Sequence, residues 1–217
     1  MKVETLYSKL YSFFGPQHWW PAESPFEVIV GAILTQQTTW KNVEKAIANI
    51  KKRNLLFPEK LVKVELNTLC SLIKPTGFYL QKAKRLKNFV SYLVNSYDGS
   101  LDKMFNNKPV DKLRDELLSL NGIGKETADS ILLYAGNKPI FPIDAYTFRV
   151  FERLNICPSK KEYDKVRLYV QKHLPLKIDI YKEFHALLVK LAKTYCKIKP
   201  LCNQCPLRLK CPTQINE

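Results

Sequence analysis

Apolar residues recur along this chain mainly at the spacing of amphipathic helices, and the long alternating stretches typical of β-strands are missing. This pattern predicts an all-α fold. The predicted helices cover 26–35, a segment that starts near Thr39, 58–64, 67–73, 80–96, 110–119, 127–134, 146–154, 161–173 and 178–195. Ser24-Pro25 is a typical helix start, with Ser as the cap and Pro at the first helical position. Gly136-Asn137-Lys138-Pro139 is the clearest break and marks a candidate domain boundary.

Composition favours a globular protein that binds a polyanion. The 217 residues, 46% of them apolar, can bury a core in one domain or two small ones. Thirty-five Lys and Arg residues against 20 Asp and Glu give a net charge of +15, which makes nucleic acid the leading partner. The alternative interpretation is a solvated, lysine-rich surface of the kind seen in heat-adapted proteins.

The chain carries no pattern typical of membrane or secreted proteins. No apolar run approaches the roughly 20 residues needed to span a bilayer. The first twenty residues lack the basic start and continuous apolar core of a signal peptide. We therefore expect a cytoplasmic protein without a membrane partner, and the lack of an evident coiled coil favours a monomer.

The most informative segment, at 120–128, reads Leu-Asn-Gly-Ile-Gly-Lys-Glu-Thr-Ala and is followed by Phe-Pro-Ile-Asp at 141–144. Gly122 and Gly124 allow backbone conformations and close approaches that a Cβ forbids, so the amides at the start of a helix opened by Thr127 can face a phosphate. Lys125 adds a positive charge beside them. The order predicts a DNA-binding hairpin, with Asp144 as the candidate catalytic carboxylate. The alternatives are an ordinary helix-turn-helix corner and an ordinary helix cap at Asp144.

Four cysteines crowd the tail with the spacing C-x5-C-x2-C-x5-C, namely Cys196, Cys202, Cys205 and Cys211. This compact pattern predicts one metal centre, and zinc and a 4Fe-4S cluster both accept four thiolate ligands. A disulfide pair is disfavoured in a cytosolic chain. Cys70 and Cys157 lie on apolar segments and are expected to be buried free thiols. Basic residues between the ligands suit a second phosphate contact (Lys197, Lys199, Arg208 and Lys210).

Taken together, the hairpin, Asp144 and the cysteine tail resemble the helix-hairpin-helix DNA glycosylases of the endonuclease III superfamily. The resemblance runs over nearly the whole chain and includes Gly31 to Thr38 and Thr76 to Tyr79. It implies a six-helix barrel domain over 25–137, with the hairpin at about 113–134. It also implies a helical cluster domain formed by 1–24 and 138–217, and a DNA cleft between the two. The family tail usually carries a 4Fe-4S cluster, which favours iron over zinc, although six residues more often separate the first two cysteines where this chain has five.

Glu126 is the main departure from the family pattern. Bifunctional members carry a lysine there that attacks C1′ of the deoxyribose and permits strand cleavage, and a carboxylate cannot form that Schiff base. The resemblance therefore implies a DNA N-glycosylase of base excision repair without efficient AP lyase activity, with water as the nucleophile. Asp144 would stabilise the cationic sugar or activate the water. Its partner would be double-stranded DNA containing damaged bases, which places the protein at the nucleoid.

The flipped base requires a plug for the gap and a pocket for the base. Gln37 matches the family position of the plug, and Phe78 is a candidate wedge or a buried loop aromatic. Trp19-Trp20-Pro21 and Trp40 resemble the 3-methyladenine DNA glycosylase III branch, in which aromatics at these positions sandwich the damaged base. A cationic methylated purine stacks well on an indole face and already has a weakened glycosidic bond. Each tryptophan has an alternative role in core packing, and Glu126 lies at the expected pocket mouth.

Two competing hypotheses remain open. A uracil or mismatched-thymine glycosylase would use the same scaffold, and a non-catalytic hairpin protein would bind DNA without cleaving a bond. His185 is expected to have a packed role rather than a catalytic one. The group Lys82, Lys84, Arg85 and Lys87 is expected to form a solvated helix face.

Overall fold

The structure, a computed structural model, describes residues 1–106, 108–156 and 162–213, and these residues contain helices and no strand. The α-helices are α1 (Val3–Phe14), α2 (Pro25–Leu34), α3 (Trp40–Lys52), α4 (Pro58–Leu61), α5 (Leu66–Ile73), α6 (Tyr79–Tyr97), α7 (Leu101–Asn106), α8 (Val110–Ser119), α9 (Lys125–Ser130), α10 (Ala145–Arg153), α11 (Tyr163–Lys172) and α12 (Ile178–Thr194). A π-helical turn, Ile131–Ala135, continues α9, and 3-10 turns cover Lys74–Thr76, Cys202–Gln204 and Arg208–Lys210. The predicted all-α class is confirmed.

Membrane crossing has no candidate among these helices. None of those in the described ranges combines the length and the apolarity that a bilayer span requires.

The chain divides into two compact units. The middle unit is Ala22–Lys138, and the terminal unit joins Met1–Pro21 to Pro139–Glu217. The predicted assignment of a barrel domain to 25–137 and a cluster domain to the remainder stays a prediction.

The middle unit is organised around α2. Its residues from Phe26 to Leu34 are all buried, as the nearly unbroken apolar sequence predicts for a central helix. Ser24 caps α2 by accepting a hydrogen bond from the Glu27 amide at 3.2 Å, and Pro25 occupies the first turn, as predicted. Glu27 is buried yet pairs with Lys51 of α3 at 2.9 Å, which anchors the two helices to each other.

The terminal unit is built on α12, which packs against α1 and α10. Tyr181 and Phe184 are fully buried on α12. Phe141, from the segment that precedes α10, packs against both rings, with centroid distances of 5.7 Å and 5.6 Å. Both ends of the chain thus contribute to one core.

Some helices differ from the sequence expectations. α7 has no counterpart among the predicted helices, and α4 ends at Leu61 instead of 64. α9 begins at Lys125, two residues before the predicted start. Cys70 is a buried free thiol as expected, whereas the prediction for Cys157 lies outside the described residues.

Candidate active site and DNA-binding hairpin

The two hairpin glycines serve different purposes. Gly122 has φ +88°, and a Cβ there would lie 2.5 Å from Cδ and 2.6 Å from Nε of Arg85. This position therefore needs both the backbone freedom and the small size of glycine. Gly124 has an ordinary φ of −89°, and a Cβ there would meet nothing within 4 Å. The expected backbone freedom is therefore used at Gly122 and not at Gly124, where the close approach of a phosphate stays a prediction.

Thr127 does not open the second helix of the hairpin, which corrects the sequence prediction. Gly124 is the N-cap of α9, and Thr127 lies inside the first turn with 8% of its surface exposed. Its Oγ1 accepts a 3.0 Å hydrogen bond from Nε2 of Gln36, which also donates to the Gly122 carbonyl at 3.1 Å. Arg85 donates to Oε1 of the same Gln36. The Thr127 side chain is thus engaged within the protein, and phosphate binding by the helix N-terminus stays a prediction.

A buried ion pair joins the two helices of the hairpin. Arg114 of α8 donates to both carboxylate oxygens of Asp129 on α9, at 2.6 Å from Nε and 3.3 Å from Nη2. The Asp129 side chain is fully buried, and that of Arg114 is 11% exposed. Such a two-point contact fixes the angle of one helix against the other. Sequence spacing did not identify this pair, because its members are fifteen positions apart.

Gln37 and Phe78 both lie at exposed turns with left-handed backbone angles, φ +53° and +45°. Gln37 is in the turn after α2, and Phe78 is the N-cap of α6. Phe78 is 62% exposed, so the alternative of a buried loop aromatic is wrong.

The cations at the start of α6 are not simply a solvated face, which corrects a second expectation. Lys82 is 1% exposed and donates to the Thr76 carbonyl at 2.7 Å, which fastens the backbone that leads to Phe78. Burial, together with the nearby charge of Arg85, lowers the pKa of Lys82 to about 8. Lys87 also hydrogen-bonds backbone carbonyls, whereas Lys84 is exposed as expected.

Asp144 is the N-cap of α10 and is 8% exposed. Its Oδ1 accepts a 2.6 Å hydrogen bond from the Thr147 amide, and its Oδ2 lies 3.5 Å from Nε2 of His185 on α12. Burial by itself raises the pKa of Asp144, but the contacts with His185 and Thr147 outweigh it and hold that pKa below its ordinary value. The carboxylate is therefore ionised at neutral pH within a buried site.

His185 has a more specific position than sequence reasoning assigned to it. It is 7% exposed, and its ring meets Phe141 edge-on at a centroid distance of 6.1 Å. The packed role expected for it is present, and the contact with Asp144 is additional. A histidine separated from an aspartate by about forty positions gives no local signal of pairing.

The predicted pocket residues are partly accessible. Trp19 and Trp20 are both half-buried, with ring centroids 5.2 Å apart and planes inclined at 45°. Trp40 is half-buried at the first position of α3, and Glu126 is exposed in the first turn of α9. A half-buried indole retains surface for a ligand, but the assignment of these residues to one base pocket stays a prediction.

The four tail cysteines line one pocket together with Arg153 and Tyr195, and all four are free thiols. Arg153 donates to Sγ of Cys196 at 3.3 Å and to the Lys197 carbonyl at 2.6 Å. Arg149 donates to the Cys196 carbonyl at 2.8 Å, so two arginines of α10 hold the loop. Within the described part of the chain, no three His, Cys, Asp or Glu side chains converge as closely as a single metal ion requires.

Comparison with known proteins places these features in a family. Residues 30–176 match the HhH-GPD superfamily of base excision DNA repair proteins. A protein of Methanocaldococcus jannaschii that is provisionally named a DNA repair glycosylase is 48% identical over 209 residues, which cover 96% of this chain and 95% of the relative.

Two solved structures share the fold over most of their length. The H. pylori 3-methyladenine DNA glycosylase MagIII, bound to 1,N6-ethenoadenine, is 27% identical with a TM-score of 0.79, covering 89% of this chain and 98% of its own. The endonuclease III chain of a non-covalent endonuclease III–DNA complex is 25% identical with a TM-score of 0.80, and the match covers 97% of this chain and 94% of that one. With its hairpin, buried aspartate and cysteine loop, this chain belongs to the HhH-GPD superfamily of base excision DNA repair proteins, among its endonuclease III-like DNA glycosylases.

Proposed function

We propose that this protein is a monofunctional DNA glycosylase that excises alkylated purines, chiefly 3-methyladenine, from duplex DNA and leaves an abasic site. The observation that carries the proposal is the buried Asp144 carboxylate, which its neighbours keep ionised. A buried negative charge stabilises an oxocarbenium-like sugar more strongly than an exposed one, because little solvent screens it.

The hydrolysis uses this carboxylate and one water molecule. The C1′–N9 bond breaks, and its electron pair passes to the purine and neutralises the positive charge of the methylated base. Water adds to C1′, and its proton passes to Asp144 or to solvent. By the resemblance to the family, Glu126 stands where bifunctional members carry the Schiff-base lysine, and its carboxylate cannot form an imine. The proposed reaction therefore stops at the abasic site.

The hairpin would hold the DNA backbone. The open space beside Gly124 at the N-terminus of α9 leaves room for a phosphate close to the backbone amides. Lys125 is exposed in the same turn and adds a positive charge. We assign gap filling to Gln37 and the wedge to Phe78, because both side chains are exposed and both residues have left-handed backbone angles at a turn.

The three predicted pocket tryptophans support a cationic purine as the substrate. Trp19, Trp20 and Trp40 keep part of their surface accessible, and an indole face attracts a cationic purine more strongly than a neutral one. The likeness to MagIII, named as a 3-methyladenine DNA glycosylase, supports the same class. A neutral base such as uracil would depart as an anion and would require specific hydrogen-bond donors.

We assign a 4Fe-4S cluster to the cysteine loop. Zinc and a four-iron cluster both accept four cysteine thiolates, and all four thiols line one pocket. The resemblance to the endonuclease III superfamily, whose tail usually carries a 4Fe-4S cluster, favours iron. The hydrogen bond from Arg153 to Cys196 suits a charged sulfur. When bound, the cluster supplies a cross-link that holds loop 196–211 rigid.

The substrate assay compares base release from methylated duplex DNA and from uracil-containing duplex DNA. We expect release of 3-methyladenine and little release of uracil. The variant Asp144→Asn should lose turnover while it still binds methylated DNA, because asparagine keeps the helix cap without the charge. Preferential release of uracil would contradict the substrate class, and full activity of Asp144→Asn would contradict the mechanism.

Borohydride trapping tests the monofunctional claim. Reduction of a Schiff base yields a covalent protein–DNA adduct, so the wild-type protein should form none with methylated DNA. The variant Glu126→Lys is the matched control, because it restores a lysine at the position of the bifunctional enzymes. A wild-type adduct would show that another lysine performs the lyase reaction.

Visible absorption and metal analysis of the freshly purified protein test the cluster assignment. We expect the broad visible absorption of an iron–sulfur protein together with stoichiometric iron and sulfide. A colourless protein that contains one zinc per chain would contradict it.

A further inference from the structure

Both oxygens of the Asp144 carboxylate have a donor facing them, and the two donors come from different parts of the chain. The Thr147 amide holds Oδ1 at 2.6 Å as part of the local cap of α10. Oδ2 faces Nε2 of His185 at 3.5 Å, from α12. The cap fixes the position of one oxygen, and the imidazole lies within ion-pair distance of the other.

His185 is itself held in place. It is 7% exposed, and its edge-on contact with Phe141 limits rotation of the ring. Tyr181, one turn earlier on α12, is fully buried and packs on Phe141 as well. Burial raises the pKa of Tyr181, so this neighbour is neutral at physiological pH.

Four ionisable groups on α12 and on the elements packed against it have contacts away from Asp144. The ring of Tyr7 on α1 meets Phe184, and Glu183 accepts a hydrogen bond from the Gln17 amide. Arg149 on α10 donates to the carbonyls of Ala192 and Cys196, and Lys193 lies over the ring of Tyr146. None of these contacts involves the imidazole of His185. Nε2 of His185 faces the Asp144 carboxylate.

We propose that His185 is a positioning residue for the glycosylase reaction: it orients the Asp144 carboxylate and keeps it charged while the sugar cation forms. The inference rests on the proposed function, because the carboxylate must be ionised to stabilise the cation. Without the imidazole, the remaining influences on Asp144 are the cap and burial, and burial favours the neutral acid. The enzyme without His185 should therefore need a higher pH to ionise Asp144.

The experiment measures single-turnover release of 3-methyladenine from methylated duplex DNA between about pH 3 and about pH 8, a range that reaches down to the ordinary titration range of a carboxyl group. The full-length variants are His185→Leu, which removes the donor and keeps the bulk, and His185→Gln, which keeps an N–H at similar reach. His173→Leu is the matched control, because His173 lies at the end of α11 and contacts the Tyr169 carbonyl.

We expect His185→Leu to move the acid-side midpoint of the rate upward by about one pH unit or more. The rate of this variant should then fall about tenfold on the acid side and less at the alkaline end. His185→Gln should restore most of the midpoint, and His173→Leu should keep the wild-type profile. A rate lowered equally at every pH in both His185 variants would show a packing role and overturn the proposal, as would an unchanged profile in His185→Leu.

A second measurement separates this inference from the proposed function. Thermal unfolding of the wild type, Asp144→Asn, His185→Leu and the double variant gives the coupling between the two positions without any substrate. We expect a coupling near neutral pH that weakens as the pH falls and the carboxylate becomes protonated. If the wild type releases no base but the coupling is present, the proposed function is rejected and the contact between the two residues is not. A coupling that is zero, or that does not vary with pH, would overturn the role of His185.

Discussion

Replacing Arg114 with methionine should destabilise the hairpin more than any change at its exposed surface. The substitution keeps the helix-forming aliphatic stem and removes the guanidinium that donates to both oxygens of Asp129. The Asp129 side chain is fully buried, so its charge would lose this partner while water stays excluded.

The expected loss in the free energy of unfolding is about 3–5 kcal/mol, the range for breaking one side of a buried ion pair. For a protein of this size, 1 kcal/mol corresponds to a change in unfolding temperature of about 2–4 °C, so a decrease of about 6–20 °C is expected. Thermal unfolding followed by circular dichroism at neutral pH measures it. The double variant Arg114→Met with Asp129→Leu should recover most of the loss, because an apolar pair of similar volume leaves no buried charge.

The control is Lys103→Met, which breaks the exposed pair between Lys103 and Asp98. Solvent and salt already screen that pair, so its loss should leave the unfolding temperature close to that of the wild type. If Arg114→Met unfolds within about 1 kcal/mol of the wild type, or if the double variant is no more stable than the single one, the buried pair does not hold the hairpin together.

Three further predictions follow from the same physical arguments. Gly122→Ala should lower the free energy of unfolding by about 1–3 kcal/mol, because Gly122 has a positive φ and a Cβ there would clash with Arg85. Gly124→Ala should leave the unfolding curve unchanged and weaken DNA binding. Equal unfolding curves for the two variants would contradict this. Asp144 has a lowered pKa and therefore contributes stability that is complete above its unfolded pKa and lost as pH falls, so Asp144→Asn should flatten the acid side of an unfolding-temperature profile. The pKa of Lys82 is lowered to about 8, so above that pH the unfolded state binds more protons than the folded state. The free energy of unfolding should therefore rise between about pH 8 and about pH 10. Lys82→Met should abolish this rise.

The local pattern of the chain was sufficient to predict most of the helices. α8 has the bounds that periodicity predicts, and the Ser24-Pro25 start of α2 is confirmed down to the capping hydrogen bond. These features depend on residues within one or two turns of each other, which is the range over which sequence spacing carries information. The predicted start of α9 at Thr127 was wrong by two residues, because Gly124 is the N-cap and the helix begins at Lys125.

Contacts between distant positions were missed or wrong. Lys82 belongs to a basic run that is typical of a solvated face, yet it is buried against the Thr76 carbonyl. Gln36 gave no signal beside its neighbour Gln37, although it hydrogen-bonds the hairpin eighty-six and ninety-one positions away. Neither charge nor spacing along the chain specifies which side chains packing will enclose.

The sequence by itself determined the helical class, the hairpin, the cysteine loop and the candidate carboxylate, because each is written in neighbouring residues. Only the tertiary structure decided that Asp144 is buried beside His185 and that Arg114 meets Asp129. The physical reason is that a side chain's charge state and hydrogen-bond partners depend on what lies around it in space. Those surroundings exist only once helices far apart in sequence have packed together.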